Sequence, residues 1–580
     1  MITEPKYYET AEKRVTEIIN DLNEIVDKDP EFIVKLAYYS RNQLNLRSTS
    51  NFLLAWAASK HQTHSFLIEY FNFIINLPSD LLDFIEKYQG IIGNTGVPKF
   101  PSFIQSLVKK KFPDFSEYQL GKYCSEGKRK RMLMKGKKQK INMKLLVKCC
   151  HIKKPAHLVA SIIGKRYPRT MEGFNNSSFS EYMDFNPEMA GKRMKIRTPI
   201  TWETTLSEKG NKAECWEGLI KSNKLPFMAM LRNLRNLLIT GVDLETNKKV
   251  VEKLRNPDVI ANSRLFPFRF LSAFESLNVD LEYLQKIKED PNYEETEEEK
   301  AKKAQNRQEG YEYFRGSARP KRSEVKKPAK NKKIPNIVPT SEIIAGYKEA
   351  LEEAIRLATA LNVSPIRGHS VIFCDASGSM QCKISSGPMG SIRTCMDLGY
   401  LFGLMLRHVC ESCDIYLLSS PNPPETPKCW RKVELSGDNI FDLLTQVRVV
   451  SDEMGRSNEY PYDWFENVIK EKSWIDNIII FSDMIISDTC SEMFDHNESY
   501  TSYQILQKYR DEVNPNLRYI TVDLAGYARD MSGANFENQF KNLVIGGYSD
   551  AILKLISCTQ TTQAGAVRAC KAVKRSEIDN

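Results

Sequence analysis

The chain has 580 residues, of which 41% are hydrophobic and 10% aromatic, so it is long enough for two or more domains with sizeable cores. No run approaches the roughly eighteen consecutive apolar residues of a membrane span, which excludes a transmembrane helix. The formal net charge of +10 is moderate, so the distribution of charge is more informative than its total.

The thirteen cysteines are scattered without a paired framework, which favours a reducing compartment over secretion. Cys410 and Cys413 have the spacing of a zinc ligand pair, but no second pair accompanies them, so a buried helix end is favoured over zinc. Residues 1–6 contain no apolar signal region. We therefore expect a soluble protein of the cytoplasm, the nucleus or both.

Residues 8 to about 285 are predicted to form helix after helix. Apolar residues recur at helical spacing in residues 32–39, 65–75, 81–88 and 102–111. Paired helices with short polar connectors indicate an α-solenoid, in which each pair buries its apolar face on its neighbours.

Positive charge is concentrated in residues 109–154, where sixteen of 46 residues are Lys or Arg and three are acidic. Each phosphate that such a surface neutralises releases counterions, so the stretch favours nucleic acid. A nuclear localisation signal and a solvated helix face are the alternatives. Further basic clusters follow at residues 165–169 and 192–197.

Two groups of segments resemble the TROVE module. Residues 29–41 and 46–55 look like its opening, and residues 201–211, 216–217 and 228–236 are similar to its second signature. This module is shared by the Ro ribonucleoprotein autoantigen and by the telomerase-associated protein and its vault-particle form. In the family a further domain follows the helical module, and with it the resemblance covers roughly residues 29–555.

The resemblance implies a fold and a class of partner. In Ro-type proteins, helical repeats similar to HEAT repeats close into a ring that a von Willebrand-type domain seals. Small structured RNAs bind the basic outer surface, and single-stranded RNA ends enter the central hole. We therefore expect a HEAT-like RNA-binding module over residues 1–285 and a structured non-coding RNA partner, of the Y-like, telomerase or vault type.

Candidate RNA contacts follow from the same resemblance. Residues 144–155 are similar to the Ro stretch whose histidine contacts RNA, and His151 occupies that position. One expected basic contact falls on Lys138 and the next on Met134, for which Lys135 or Arg131 would substitute. The implied RNA-binding residues are Arg131, Lys135, Lys137, Lys138, Lys144, His151 and Lys153. For His151 the alternative is a hydrogen-bonded histidine at a helix end.

Residues 286–340 are predicted to be a charged flexible linker, because an acidic block and then a basic, proline-containing block replace the apolar periodicity. Strands and helices alternate over residues 341–560, which indicates a doubly wound α/β sheet. Neither a GxGxxG nor a GxxxxGK[ST] phosphate loop occurs there, so nucleotide binding is disfavoured. Residues 561–580 are predicted to form a tail.

Two apolar strands of this α/β domain end in aspartate. Residues 371–374 lead into an Asp-Ala-Ser-Gly-Ser sequence, and residues 478–482 lead into a second Asp. Hard oxygen ligands at the carboxyl ends of strands suit Mg²⁺ or another divalent cation. The simpler alternative is that these Asp and Ser side chains only cap the next helix.

The Asp-x-Ser-Gly-Ser sequence resembles the metal-ion-dependent adhesion site of von Willebrand factor A domains. The implied metal ligands are Asp375, Ser377, Ser379, Ser457 and Asp483. Ser457 stands where the family usually has Thr, and Thr394 is a weaker candidate because it is predicted to open a helix.

The sequence thus favours a non-catalytic RNA-binding scaffold, a subunit of a small ribonucleoprotein whose metal-site domain closes the ring and recruits a protein partner. The alternative is a metal-dependent protein–protein interaction module without specific RNA binding. An enzyme is disfavoured because no nucleophile and base accompany Asp375 and Asp483, although the two could hold Mg²⁺ for phosphoryl transfer.

Overall fold

A computed structural model describes residues 11–93, 100–124, 141–263, 265, 268–277, 279–290, 293, 335–386, 392–419, 428–455, 460–484, 501–525, 542–547 and 551–558. The described residues form two compact units, one up to Thr204 and one from Thr205 onward. None of the helices in these ranges is long and apolar enough to cross a membrane.

The first unit is helical. Its described helices are α1 (Ala11–Lys28), α2 (Pro30–Asn42), α3 (Arg47–Ala57), α4 (His64–Ile74), α5 (Pro78–Ile91), α6 (Ser102–Lys111), α7 (Glu117–Tyr123), α8 (Met143–Cys149), α9 (Ala156–Ile163) and α10 (Met171–Asn175). Helix α2 packs on α3 and α4, and α3 packs on α5. This stacking of successive helices is the packing that an α-solenoid requires.

A small lobe follows α9 in the same unit. Its own core contains the buried side chains of Tyr167, Phe174, Phe179 and Met194, packed against α9. The Tyr167 hydroxyl accepts a hydrogen bond from the backbone N–H of Asn186 (2.9 Å), which holds the intervening loop on this core. The core and this hydrogen bond thus hold residues 165–197 in a defined conformation, although the lobe has little regular secondary structure.

The second unit begins with helices that surround one long helix. They are α11 (Trp202–Lys209, which begins in the first unit), α12 (Ala213–Lys221), α13 (Phe227–Thr240), α14 (Leu244–Arg255), α15 (Pro257–Ser263), α16 (Phe268–Ser276), α17 (Leu281–Glu289) and the long α18 (Ser341–Asn362). Helices α14, α15 and α16 pack on α18. Because these helices pack on α18, they belong to the same compact unit as α18, and the two units divide at Thr204. The predicted end of the RNA-binding module at residue 285 stays a prediction.

The rest of the second unit is an α/β sheet domain. Its strands are β1 (Ile366–Asp375), β2 (Lys383–Ser386), β3 (Ile392–Thr394), β4 (Cys410–Leu418), β5 (Trp430–Lys432), β6 (Asn477–Ser482), β7 (Arg518–Asp523) and β8 (Asn542–Gly546). Its helices are α19 (Cys395–Val409), α20 (Ile440–Asp452), α21 (Tyr462–Lys470), α22 (Ser502–Glu512) and α23 (Ala551–Cys558).

Six strands form one sheet in the order β5-β4-β1-β6-β7-β8, and β2 and β3 form a separate antiparallel pair. Strand β5 is antiparallel to β4, and the other neighbours are parallel. Every residue of β6 is buried, as expected for a central strand covered on both faces. The chain leaves β1 toward β4 and later returns to β6 on the other side, so a topological switch point lies between β1 and β6.

The predicted combination of a solenoid-like helical module and an α/β sheet is confirmed at that level. The closed ring and the von Willebrand type of the sheet domain stay predictions. Cys410, predicted to be at a buried helix end, is the half-buried C-cap of α19, where its backbone N–H donates to the carbonyl of Leu406, and it is also the first residue of β4. Most of residues 286–340 and all of residues 561–580 lie outside the described ranges.

Candidate functional site

Three aspartates lie at the carboxyl edge of the sheet. Asp375 ends β1, Asp483 follows β6 and Asp523 ends β7, and each side chain is at most 1% exposed. Because these strands are parallel neighbours, their carboxyl ends meet at one edge, beside the switch point. The strands therefore bring the two predicted acidic ligands, Asp375 and Asp483, to one side of the sheet.

Both carboxylate oxygens of Asp375 accept hydrogen bonds. The backbone N–H of Ser377 donates to Oδ1 (2.8 Å), and the hydroxyl of Ser482 donates to Oδ2 (2.5 Å). Burial and the nearby charge of Asp483 nevertheless raise the pKa of the Asp375 carboxyl to about 7. Bringing two buried like charges together is unfavourable, and a divalent cation would offset that cost.

The serines of the loop after β1 face each other. The Ser377 and Ser379 Oγ atoms are 3.0 Å apart, with Ser377 buried and Ser379 exposed. Ser377 precedes a single 3-10 turn (Gly378–Gln381), but its side chain makes no capping hydrogen bond. The helix-capping alternative therefore does not account for the Ser377 hydroxyl.

The remaining predicted ligands differ in their outcome. Ser457 lies outside the described residues. Thr394 is the N-cap of α19, where its Oγ1 accepts the backbone N–H of Asp397 (3.1 Å) and donates to the Asp397 carboxylate (3.0 Å). This capping role accounts for Thr394.

Sequence analysis did not assign Asp523 to the site. Asp523 pairs in register with Ser482, beside the hydroxyl that bonds Asp375. Within the described ranges, no three His, Cys, Asp or Glu side chains converge on one metal position. A cation held by Asp375 and Asp483 would therefore complete its shell with serine hydroxyls and other oxygens, a donor set that fits Mg²⁺ or Ca²⁺.

A basic surface lies on the lobe of the first unit. It consists of seven exposed cationic side chains, Lys165, Arg166, Arg169, Lys192, Arg193, Lys195 and Arg197. Arg166 and Arg193 are directly paired in an antiparallel bridge, which backbone hydrogen bonds on either side fix in register. None of the seven forms an ion pair with a described residue.

One arginine of this basic surface passes close to a glycine. A Cβ atom at Gly164 would lie 2.5 Å from Nε of Arg193, so the Arg193 side chain occupies space that a larger residue at position 164 would take. A Cβ atom at Gly191 would make only an ordinary contact with Arg169, at 3.4 Å from its Cγ. The two basic clusters noted in the sequence are therefore brought together into one surface.

The structure describes three of the predicted RNA contacts, one within α8 and two between α8 and α9. His151 follows α8 with a φ of 51°, and its exposed ring makes no hydrogen bond to a described residue. The alternative reading of His151, a histidine hydrogen-bonded at a helix end, therefore finds no partner for its ring among the described residues. Lys144 is half-buried in α8 and Lys153 is exposed. The other predicted contacts, Arg131, Lys135, Lys137 and Lys138, lie outside the described residues.

Comparison with known proteins adds a family and a fold. A family model described as the TROVE domain matches residues 3–139 and 134–368, more than half of the chain. Telomerase protein component 1 of Mus musculus is 28% identical over 584 residues, which cover 88% of this chain and 22% of the mouse protein. The Rattus norvegicus protein of the same name is also 28% identical, over 86% of this chain and 21% of its own length. The chain thus spans about a fifth of these relatives.

Among solved structures, the crystal structure of the Deinococcus radiodurans RO (RSR) protein superimposes with a TM-score of 0.54. The match covers 94% of this chain and 92% of that chain, at 14% sequence identity. At this level of identity the match concerns the fold alone.

Proposed function

Because the chain belongs to the TROVE domain family, we propose that it is an RNA-binding scaffold subunit of a small ribonucleoprotein. Its partner would be a structured non-coding RNA. The name of the similar telomerase component favours a telomerase-type RNA, and the resemblance to Ro-type and vault-particle proteins adds Y-like and vault-type RNAs as candidates. The proposed setting is the cytoplasm, the nucleus or both.

The observation that carries this proposal is the pairing of Arg166 with Arg193. Like charges directly opposite each other on paired strands destabilise the pairing, typically by a few tenths of a kcal/mol to about 1 kcal/mol. No described acidic side chain forms an ion pair with either guanidinium. A polyanion supplies the missing countercharge, and guanidinium groups bind phosphate through two parallel hydrogen bonds.

The RNA path proposed here runs from the basic surface to the region of His151. Helix α9 joins the two, since it follows His151 in the chain and packs against the core of the lobe. Lys144 and Lys153 would contribute charge, and His151 would stack on a base or donate to phosphate. Arg131, Lys135, Lys137 and Lys138 are proposed as further contacts from the resemblance alone.

The α/β sheet domain is proposed to be a von Willebrand factor A-like domain that recruits a protein partner. Its cation, Mg²⁺ or a similar ion, would be held by Asp375, Ser377, Ser379, Ser457 and Asp483. When bound, such a cation offers an open coordination position to a carboxylate of the partner. The proposed role is structural and not catalytic, since the serines are assigned to the cation as ligands.

Charge reversal on the basic surface tests the RNA-binding proposal. Binding of a fluorescein-labelled structured RNA hairpin is measured by anisotropy across a salt series for the wild type and for the Arg166→Glu/Arg193→Glu variant. A control, Lys224→Glu/Lys248→Glu, makes the same change in net charge at exposed lysines of the second unit. The slope of log K against log salt should become shallower by about 2 in the arginine variant, because two phosphate contacts are lost.

The control variant should lose much less affinity than the arginine variant. Equal losses in the two variants would mean that only net charge matters. Unchanged binding in the arginine variant would contradict the proposal and favour a protein-interaction module without specific RNA binding. If the arginine variant alone loses affinity, crosslinking and sequencing of RNA that co-purifies from cells would identify the RNA.

A further inference from the structure

Two cysteine sulfurs lie in contact beside the carboxyl edge of the sheet. The Sγ atoms of Cys382 and Cys395 are 3.1 Å apart, and both residues are free thiols. A disulfide bond is about 2.05 Å long, so the sulfurs need to approach by only about 1 Å to bond. Packing alone does not require two sulfur atoms to be so close, because a cysteine in a core behaves as a small apolar side chain.

The backbone holds the two cysteines opposite each other. Strands β2 and β3 pair with Lys383 opposite Thr394, and the cysteines are the next residues outward. The N–H of Cys395 donates to the carbonyl of Cys382 (3.1 Å), which continues the ladder by one pair. The thiols are thus brought together by the closure of the β2–β3 hairpin and not by a chance orientation of side chains.

The surroundings of the two thiols differ. Cys395 is buried at the start of α19, whereas Cys382 is partly exposed at the end of the 3-10 turn. The hydrogen bond with Cys395 lowers the pKa of the Cys382 thiol. A solvent-borne oxidant therefore meets Cys382 first, and Cys395 lies behind it in contact with its sulfur.

We infer that Cys382 and Cys395 form a redox-modification site, a thiol pair that a peroxide converts to a disulfide. The Cys382 thiolate attacks one oxygen of hydrogen peroxide, the O–O bond breaks, and Cys382 becomes a sulfenic acid as hydroxide leaves and is protonated to water. The Cys395 sulfur then attacks the Cys382 sulfur, its proton goes to the departing hydroxyl, and a second water leaves. Two thiols lose two electrons and two protons in total, and one peroxide becomes two waters.

The disulfide would join two segments that border the candidate metal site. The turn that carries Ser379 leads directly into Cys382, and the capping residue Thr394 directly precedes Cys395. Bond formation thus ties the serine loop to the start of α19. A dithiol reductant reverses the step by thiol–disulfide exchange. This inference depends neither on RNA binding nor on the presence of a cation.

Peptide mapping of the full-length chain tests this site. The reduced protein is treated with hydrogen peroxide, free thiols are blocked with N-ethylmaleimide, and tryptic peptides are analysed without reduction. Cleavage after Lys383 and Arg393 separates the two cysteines, so the expected product is residues 368–383 linked to residues 394–407. Fragmentation spectra must place the link on Cys382, because Cys374 lies on the same peptide.

Two variants make the test discriminating. Cys395→Ser removes the second thiol, so Cys382 should proceed to sulfinic acid, which dithiothreitol does not reverse. Cys382→Ser should abolish both the linked peptide and the sulfinic product. The inference fails if peroxide gives no linked peptide, if the link joins two chains, or if it forms at Cys410 and Cys413 instead.

Discussion

Ser482 donates a 2.5 Å hydrogen bond to Oδ2 of Asp375, which joins the carboxyl ends of two neighbouring strands. The backbone N–H of Ser377 occupies one lone pair of the other oxygen, Oδ1. A carboxylate has about four lone-pair sites, so these two hydrogen bonds do not exhaust its capacity to accept. These bonds orient the carboxylate and leave it able to coordinate a cation.

The first prediction concerns pH. The pKa of Asp375 rises from 3.8 to about 7 in the folded protein, so the folded state holds a proton that the unfolded state has released. Without a cation, the free energy of unfolding should therefore fall as pH rises from about 4 to about 7, by an amount on the order of 4 kcal/mol. Asp375→Asn imitates the protonated form and should remove most of this fall. Urea unfolding in EDTA at pH 5 and pH 7.5 should show roughly 2.5 kcal/mol of this fall, because the rest of it lies below pH 5.

The quantity to compare is the fall in the free energy of unfolding with pH, in the wild type and in Asp375→Asn, because other groups titrate in the same range. An equal loss of stability in both proteins would show that Asp375 does not carry the proton.

The second prediction concerns Mg²⁺. At pH 7.5, Mg²⁺ at a hundred times its dissociation constant should stabilise the wild-type protein by about 2.7 kcal/mol. Neither Asp375→Asn nor Asp483→Asn should respond, since each removes one of the two charged ligands of the proposed site. Asp414→Asn is the control, because Asp414 pairs with Lys432 on β4 and β5 and takes no part in the proposed site. Stabilisation of all four proteins to the same extent would place any Mg²⁺ effect elsewhere.

The extent to which the sequence predicted this site depends on the kind of signal. Asp375 and Asp483 follow continuous apolar runs, and these runs predicted both strands and the aspartate at the end of each. Asp523 follows a strand of the same kind but belongs to no recognised sequence pattern, so only the register of β7 with β6 shows its position. The Cys382–Cys395 contact depends on the hairpin β2–β3, whose short strands carry no apolar alternation. The pairing of Arg166 with Arg193 joins clusters that lie 27 positions apart in the sequence, and the sequence alone does not show such a contact.

The third prediction concerns Gly241, which ends α13 with a φ of 70°. An added Cβ would overlap the backbone oxygen and nitrogen of Ile337. Gly241→Ala therefore combines left-handed strain of about 1–2 kcal/mol with a clash against a rigid backbone of about 1–3 kcal/mol. We expect a loss of roughly 3 kcal/mol in the free energy of unfolding, measured by urea denaturation.

Gly437→Ala is the matched control for Gly241→Ala. Gly437 has a φ of 88°, but an added Cβ would meet no atom within 4 Å. This variant should lose only the strain of about 1–2 kcal/mol. If the two variants are equally stable, residues 335–337 do not pack against the end of α13 as described.

The fourth prediction concerns the segment that opens the TROVE resemblance. Its arginines Arg41 and Arg47 both form ion pairs with Asp80, whose side chain is fully buried at the start of α5. Asp80 also accepts the backbone N–H groups of Asn76 and Leu77. These residues of the signature therefore stabilise the stacking of the first helices and need no role in RNA binding.

Asp80→Asn should lower the free energy of unfolding by about 3 kcal/mol, because it leaves two guanidinium groups without their countercharge and replaces one acceptor oxygen by a donor. Glu31→Gln is the control. Glu31 forms an ion pair with Lys35, one helical turn further along α2, and this pair should contribute at most about 0.5 kcal/mol. Chemical denaturation of both variants measures the contrast. RNA binding by folded Asp80→Asn protein should equal that of the wild type, and a selective loss of RNA affinity with unchanged stability would instead assign Arg41 or Arg47 to the RNA.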